Sequence, residues 1–204
     1  MGTGLLQSGT FMYHTGERKL QDRFGSRALA DRLVEHTHRT GFSDDDRGFI
    51  ESVTFFFLAT ADAEGRPDCS FKGGPAGFVR VVAPNVLAFP DYDGNGMFRS
   101  LGNIAVNAHV GLLFIRTGEK RGRLRVNGRA AVAFDNAAMT DIPGAQALVR
   151  VTAEHIFPNC PRYIPRLEVK EESMYVPKPG RVPVEPEWKG FDQFRDVVPP
   201  RAHP

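Results

Sequence analysis

The segment Val53–Asp62, VTFFFLATAD, sets the expected fold class of this chain of 204 residues. Its residues are largely β-branched or aromatic, which favours a buried strand. The next residues, AEGR, predict a turn, and PDCSFKGG then begins a second strand whose side chains alternate between two faces. This part of the chain is therefore expected to be β-sheet rather than helix.

Further strands follow at similar spacing. GFVRVVA and NVLAF predict two short strands joined at Ala83–Asn85, and HVGLLFIRT, RLRVNGRAAVAF and ALVRVTAEHIFPNC predict three longer ones. About seven strands at hairpin spacing favour an antiparallel barrel or sandwich over a parallel α/β sheet. The residues from Asp135 to Ile142 predict a short helix or a loop.

Two helices are expected before the first strand. One follows Ser26, a suitable N-cap, and places Leu29, Leu33 and Val34 on one face. The other begins at Ser43, where three consecutive aspartates suit the positive end of a helix dipole. Capping is the favoured role of these aspartates over metal binding, because consecutive side chains on a helix point in different directions.

The chain is expected to have three parts. Residues 1–16 have no clear period and predict an irregular arm, while proline is frequent beyond Pro165. The proline-rich tail is expected to be either disordered or docked, and its aromatic residues Trp188, Phe191 and Phe194 favour docking. The predicted parts are an N-terminal arm with helices packed on the barrel (1–50), a barrel (51–165) and the tail (166–204).

Composition and charge narrow the function. The net charge of +2, with acidic and basic residues interspersed, gives no support for a nucleic-acid or membrane partner. Cys69 and Cys160 match no metal spacing, so free thiols are favoured and a disulfide stays open. No signal pattern or membrane span is evident, which predicts a cytoplasmic protein. The histidines show no ligand spacing, and no metal site is expected.

The segment FPDYDGNGMFRSLGNI (89–104) contains the strongest local signal for a ligand. The strand is expected to end at Phe89, with a glycine-rich turn after Pro90 and a helix starting near Met97. Glycines at such a turn let backbone amides approach an anion, and Arg99 is placed to add a charge-assisted bond to a phosphate. A plain turn followed by a surface helix explains the same residues equally well.

Cationic residues alternate along two of the predicted strands. Ser70 and Lys72 share one face with Phe71 opposite, and Arg123 and Arg125 share a face of the long strand. Several strands with cations on one face suggest a shared anionic partner, although the solvated exterior of a barrel gives the same alternation.

Taken together, four stretches resemble the flavin mononucleotide (FMN)-binding split-barrel family that includes pyridoxamine 5′-phosphate oxidase. The likeness is carried by LATADAEGRPDCSFKGGPAGFV, VLAFPDYDGNGMFRSLGNIAVN, VGLLFI and RLRVNGRAAV, in that order. IFPNCPRYI resembles a segment from an uncharacterised branch of the family. The resemblance implies a mainly β (α+β) fold, an antiparallel split β-barrel with N-terminal and inserted short helices.

The resemblance also implies a homodimer with FMN in each of two grooves at the subunit interface. Asn95 and Gly96 fall where the family often has an Arg-Lys pair, so backbone amides, Arg99 and Lys72 would have to hold the phosphate. Arg123 lies near a family position that reaches the cofactor from the partner subunit. The implied cofactor-binding residues are Ser70, Phe71, Lys72, Asp91, Asn95, Gly96, Arg99, Arg123, Arg125, Asn159 and Arg162.

By this resemblance the chain is expected to be an FMN-dependent oxidoreductase that transfers hydride to or from a small molecule. Lys72 is the candidate for the cation near the flavin N1 atom, and no catalytic residue is assigned. The substrate-binding end of pyridoxamine 5′-phosphate oxidase has no convincing counterpart here. The alternatives are a non-catalytic flavin-binding or sensing protein, and a related barrel that binds haem or a deazaflavin.

Overall fold

A computed structural model describes residues 12–119, 122–134 and 136–199. Its strands form one antiparallel sheet in the order β2-β1-β5-β6-β7-β4-β3. The expected mainly β split barrel is confirmed. The strands are β1 (Phe55–Ala61), β2 (Pro67–Gly73), β3 (Arg80–Ala83), β4 (Val86–Tyr92), β5 (His109–Arg116), β6 (Gly122–Ala133) and β7 (Ala145–Pro158).

Helices precede the sheet and interrupt it. They are α1 (Thr15–Arg23), α2 (Arg27–Thr37), α3 (Asp44–Ser52), α4 (Arg99–Val106), α5 (Asn136–Met139) and a 3-10 helix (Glu187–Gly190). The sequence analysis missed α1, which is capped by His14 and Glu17 in a reciprocal capping box. Histidine is an unusual N-cap, and α1 has little apolar periodicity to reveal it. The rest of the predicted arm, residues 1–11, lies outside the described residues.

The two predicted N-caps have different outcomes. The Ser43 hydroxyl accepts a hydrogen bond from the Asp46 amide, and the Asp46 carboxylate accepts one from the Ser43 amide. That prediction is confirmed, and Arg39 holds the same carboxylate through two hydrogen bonds of 2.6 and 2.9 Å. The prediction for Ser26 is wrong, because its side chain makes no capping bond. Its backbone lies at ψ 5° rather than in the extended conformation of a normal N-cap.

The helices α1 and α2 form an arm that buries no residue of its own. The predicted apolar face of α2 exists, but Leu29 and Leu33 on it are exposed. Ion pairs hold the arm together, with 2.5 Å between Arg18 and Asp31 and between Arg27 and Asp22. Burial of apolar surface therefore contributes little to this part of the described chain.

Aromatic packing at the centre shows that the sheet curls on itself. The ring of Phe56 in β1 lies 4.9 Å from that of Phe89 in β4 and 5.2 Å from that of Phe114 in β5, between centroids. The strands β1 and β4 stand four places apart in the sheet order, so their side chains meet only if the sheet closes into a barrel. All three rings are fully buried.

One strand boundary differs from the sequence expectation. The strand β4 does not end at Phe89, and Pro90 lies within it opposite Leu148 of β7. The neighbour on its other side, β3, pairs with β4 only as far as Ala88. At Pro90 the strand is therefore an edge strand, and edge strands tolerate a residue that lacks a backbone N–H.

A bulge in β7 leaves Glu154 unpaired opposite Asn127–Gly128 of β6. A β-carbon added at Gly128 would lie 2.1 Å from the carbonyl oxygen of Thr152, which is far inside contact distance. Two backbones approach so closely here that only glycine fits.

We expect Gly128→Ala to lower the free energy of unfolding by about 1–3 kcal/mol or more, because the bulge must shift to admit the methyl group. Gly48→Ala is the matched control, since a β-carbon there meets no atom within 4 Å and Gly48 lies within α3. The control should gain about 0.5–1 kcal/mol. Chemical denaturation of both variants measures this, and equal stabilities would contradict the role of the bulge.

Candidate functional site

Polar side chains line the inner face of the edge strand β2. Asp68, Ser70 and Lys72 stand opposite Thr60, Leu58 and Phe56 of β1, whose side chains are buried. As predicted, Ser70 and Lys72 share a face, while Phe71 points away and is 62% exposed. A row of polar groups thus borders the apolar interior at the open edge of the barrel.

The helix α4 lies over this row. The hydroxyls of Ser70 and Ser100 are 2.9 Å apart, and Arg99 Nε lies 3.6 Å from Asp68 Oδ1. One turn further on, Asn103 donates a hydrogen bond of 3.0 Å to the hydroxyl of Thr60. The first turns of α4 are therefore fixed to β2 and β1 by polar contacts, two of them through the predicted residues Ser70 and Arg99.

The N-terminus of α4 carries no capping side chain. Its N-cap residue is Phe98, which adopts the left-handed conformation with φ 48° and makes no side-chain cap bond. For a residue other than glycine, this conformation costs roughly 1–2 kcal/mol. The N-cap side chain thus offers the first-turn amides no acceptor, and such amides attract anions.

The β4–α4 loop (residues 93–98) leads into this helix start. Asn95 accepts a hydrogen bond of 3.0 Å from the amide of Met97, and Gly96 has a φ of +74° that suits glycine. The helix begins at Arg99, two residues later than predicted. Asn95 and Gly96 are both exposed, and they shape the turn in front of the uncapped amides.

Lys72 and Asp91 form an ion pair between β2 and β4. Lys72 Nζ lies 3.7 Å from Asp91 Oδ1, and Asp91 is only 7% exposed. Gln146 of β7 donates a hydrogen bond of 2.8 Å to the other carboxylate oxygen. Asp91, predicted to contact the cofactor, thus uses both oxygens within the protein. Its geometry suits it to orient Lys72.

The other predicted residues gather at the start of β6. The Arg123 guanidinium donates a hydrogen bond of 2.9 Å to the backbone carbonyl of Cys160. The backbone N–H of Asn159 donates one to the backbone carbonyl of Arg123. Arg123 Nε and Asn159 Oδ1 are buried without a hydrogen-bond partner among the described residues. A buried polar group left unpaired costs roughly 1–3 kcal/mol, so this donor and this acceptor are suited to a bound group or water.

The remaining two arginines are solvent-facing. Arg125 is exposed on β6, and the guanidinium of Arg162 lies 5.8 Å from the ring centroid of Tyr163. Cys160 is exposed and unbonded, as is Cys69. The contacts described for Arg125 and Arg162 thus involve neither Lys72 nor Arg99.

Within one chain, the predicted residues form two separate groups. Ser70 and Lys72 face the barrel interior beneath α4, whereas Arg123 and Arg125 flank the buried Leu124 and so face outward. A single subunit therefore does not bring the two groups onto one ligand. The residues that the sequence analysis missed at the first group are Thr60, Asp68, Ser100, Asn103 and Gln146. The spacing of Ser100 and Asn103 on one helix face was the available signal.

A second pairing was not visible in the sequence. His38 and His155 are 117 positions apart, and His38 Nε2 lies 2.8 Å from His155 Nδ1. Next to them, Arg39 forms a backbone bridge with Ile156 that joins the α2–α3 connection to β7. Burial, and secondarily the charges of His155 and Arg39, lower the pKa of His38 from its usual value of 6.5.

The free energy of unfolding should fall on acidification through about pH 6.5, because the unfolded chain then binds a proton at His38 more readily than the folded chain. The stability from neutral His38 is complete above this pH and is lost as the pH falls toward the lower folded pKa. We expect His38→Gln to flatten the decline between about pH 7.5 and 5.5. Denaturation at several pH values measures it, with exposed His36→Gln as control. Equal slopes in both variants would contradict it.

The curled antiparallel sheet, opened at β2 and covered there by α4, defines a split β-barrel. The family model of pyridoxamine 5′-phosphate oxidase matches residues 42–169, which is more than half of the chain. The chain therefore belongs to the pyridoxamine 5′-phosphate oxidase family. No curated protein matches it significantly.

Several solved structures are similar to the chain at the level of the fold. A putative pyridoxamine 5′-phosphate oxidase from Lactobacillus delbrueckii is 20% identical, with coverage of 58% of this chain and 95% of that one and a TM-score of 0.47. An FMN-binding protein from Syntrophomonas wolfei is 9% identical (71% and 97% coverage, TM-score 0.43). The haem storage protein HutZ from Vibrio cholerae is 19% identical (57% and 89% coverage, TM-score 0.39).

The described residues lack two other kinds of feature. In the part of the chain that the structure describes, no three His, Cys, Asp or Glu side chains come together as a metal site would require. Across the same residues, no helix has the length and apolar character needed to cross a membrane.

Proposed function

We propose that this chain is an FMN-dependent oxidoreductase of the pyridoxamine 5′-phosphate oxidase family that acts on a small molecule. The observation that carries the proposal is the uncapped N-terminus of α4, fixed over the polar edge of β2 with Arg99 and Lys72 nearby in the fold. Bound FMN would supply hydride transfer. The chain's own residues would bind it, orient it and exclude water.

The residues at this edge fit the phosphate end of FMN. The first-turn amides of α4 offer donors to an anion, and Arg99 adds a positive charge that pairs with Asp68 at 3.6 Å. Lys72 is held near the same edge by Asp91 at 3.7 Å. Both distances exceed that of a hydrogen bond, so each cation keeps donors for a ligand.

The outer face of β1, β2 and β5 supports a homodimer. A sheet with one face in water normally alternates apolar and polar residues, yet this face is apolar. Phe71 stacks on Phe55 at 5.2 Å between centroids, and the ring of Phe57 meets its edge at 5.9 Å. Leu113 and Ile115 of β5 extend the same face. We propose that a second copy covers this surface, as the family resemblance implies.

Such a dimer accounts for the two separate groups of residues. Arg123 and Arg125 face outward beside Ile115 and Leu113, at the margin of the proposed interface. Residues there are positioned to reach a ligand held by the partner. The guanidinium groups of Arg123 and Arg125 would then supply donors to a cofactor held by the partner.

We expect Lys72→Ala combined with Arg99→Ala to lower FMN affinity by at least about tenfold, since each lost charge-assisted bond is worth roughly 1.5–3 kcal/mol. Titration followed by flavin fluorescence measures the affinity. The control is Lys19→Ala with Arg32→Ala, which removes the same charge from exposed positions on α1 and α2. Unchanged affinity in a folded double variant would remove the phosphate assignment.

We expect Phe71→Lys to shift the protein from dimer to monomer, because it places a charge in the centre of the proposed interface. Sedimentation velocity measures the mass. Phe134→Lys is the matched control, since Phe134 is 76% exposed and directly follows the C-terminal end of β6, whereas Arg123 and Arg125 lie near its start. A monomeric wild-type protein, or an equally dimeric Phe71→Lys variant, would contradict this assignment.

The visible absorption spectrum of freshly purified protein, repeated after addition of FMN and desalting, tests the cofactor. Retained bands of oxidised flavin support the proposal, whereas a haem spectrum would replace FMN with haem. Anaerobic reduction of the holoprotein by NADH or NADPH, followed by exposure to O2, then tests for turnover. A stable flavin complex that neither donor reduces would contradict the oxidoreductase proposal and favour a non-catalytic flavin-binding protein.

A further inference from the structure

The C-terminal segment (residues 183–199) is attached directly to the β4–α4 loop. Lys189, in the 3-10 helix, donates a hydrogen bond of 2.5 Å to Asp93 Oδ2 and lies 3.3 Å from Glu185. Its side chain is only 11% exposed. An ammonium group buried to this extent is stable only when it is paired with carboxylates.

The surroundings of Lys189 support a built contact. The ring of Trp188 meets Phe194 edge-on at 5.9 Å between centroids, which packs the segment around the lysine. The tail contacts the barrel at two other places. The carbonyl of Leu167 accepts a hydrogen bond from the amide of Gly118, and Pro177 lies against Gly144, but neither glycine is in the β4–α4 loop. Lys189 joins the tail to the β4–α4 loop through Asp93.

We infer that Lys189 is a positioning residue for phosphate binding: it fixes the β4–α4 loop to the C-terminal segment and offsets the charge of Asp93. This inference rests on the proposed function, because the loop is the one assigned there to the FMN phosphate. Lys189 acts through Asp93 and does not itself touch the ligand.

The charge of Asp93 explains why the contact matters. Asp93 lies two residues before Asn95, in the loop that leads into the α4 amides. A carboxylate in the loop that binds a phosphate dianion opposes this binding unless a cation offsets its charge. Lys189 provides that cation, and its 3-10 helix limits the movement of the loop. Loss of Lys189 would therefore weaken binding of the phosphate and leave the flavin ring unaffected.

The test compares FMN with riboflavin, which lacks the phosphate. We expect Lys189→Met to lower FMN affinity by about tenfold, within the usual range of coupling between two sites, and to leave riboflavin affinity unchanged. Adding Asp93→Asn should restore part of the FMN affinity, because the uncompensated charge is then gone. Lys178→Met is the matched control, since Lys178 is another tail lysine and pairs with a tail carboxylate, Glu172, rather than with Asp93.

Each outcome decides the matter. Selective loss of FMN affinity with rescue by Asp93→Asn supports the inference. Equal loss for both ligands, or no loss, would overturn it while leaving the proposed function intact. A wild-type protein that binds neither ligand would overturn the proposed function and this inference with it.

A second measurement keeps the inference testable if Lys189→Met does not fold. Binding that depends on the contact must in turn stabilise it, so FMN should slow chymotrypsin cleavage at Trp188 in the wild-type protein. Asp93→Asn should abolish this protection. FMN that binds the wild-type protein without slowing the cleavage would overturn the inference.

Discussion

Phe56 sits where the two ends of a seven-stranded sheet meet, and the arrangement of the barrel depends on this contact. Its ring packs on Phe114 from the adjacent strand β5 and on Phe89 from β4, which stands four places away in the sheet order. Because the rings are fully buried and interlocked, the sheet cannot flatten without exposing all of them. The position of every residue at the open edge follows from this closure.

Closure around an apolar centre also determines where polar groups are tolerated. The edge strand β2 has only one neighbouring strand, and its inner side chains reach the margin of the core rather than its centre. Asp68, Ser70 and Lys72 each meet a polar partner there, from α4 or β4. Since the cations there are already paired, an anion entering the edge would use donors that their partners leave free rather than neutralise isolated charges.

The sequence predicted the sheet well, because alternation and turn residues are local signals. It also predicted that Ser70 and Lys72 share a face, which follows from the strand period alone. It did not predict the contacts that orient those residues. Lys72 pairs with Asp91, Ser70 with Ser100 and His38 with His155. These pairings depend on which parts of the chain meet in the folded protein, and no spacing in the sequence contains that information.

The errors in the sequence analysis have specific causes. Pro90 indicated the end of a strand, because proline lacks the N–H that a sheet needs. However, β3 pairs with β4 only as far as Ala88, so Pro90 lies at an edge where no N–H is required. Ser26 had the right residue type for a cap and the wrong backbone angle. The left-handed conformation of Phe98 could not be anticipated, because an aromatic residue does not favour it.

The arm of α1 and α2 differs from the barrel in the forces that hold it. Its ion pairs are solvent-accessible, and it buries none of its own residues, whereas the barrel is held by apolar packing. Dissolved salt weakens exposed ion pairs as the Debye length shrinks from about 10 Å at 0.1 M to about 3 Å at 1 M, but it has little effect on a dry core of this kind. Ionic strength therefore acts on the two parts of the molecule separately: raising it loosens the arm while the barrel keeps its packing.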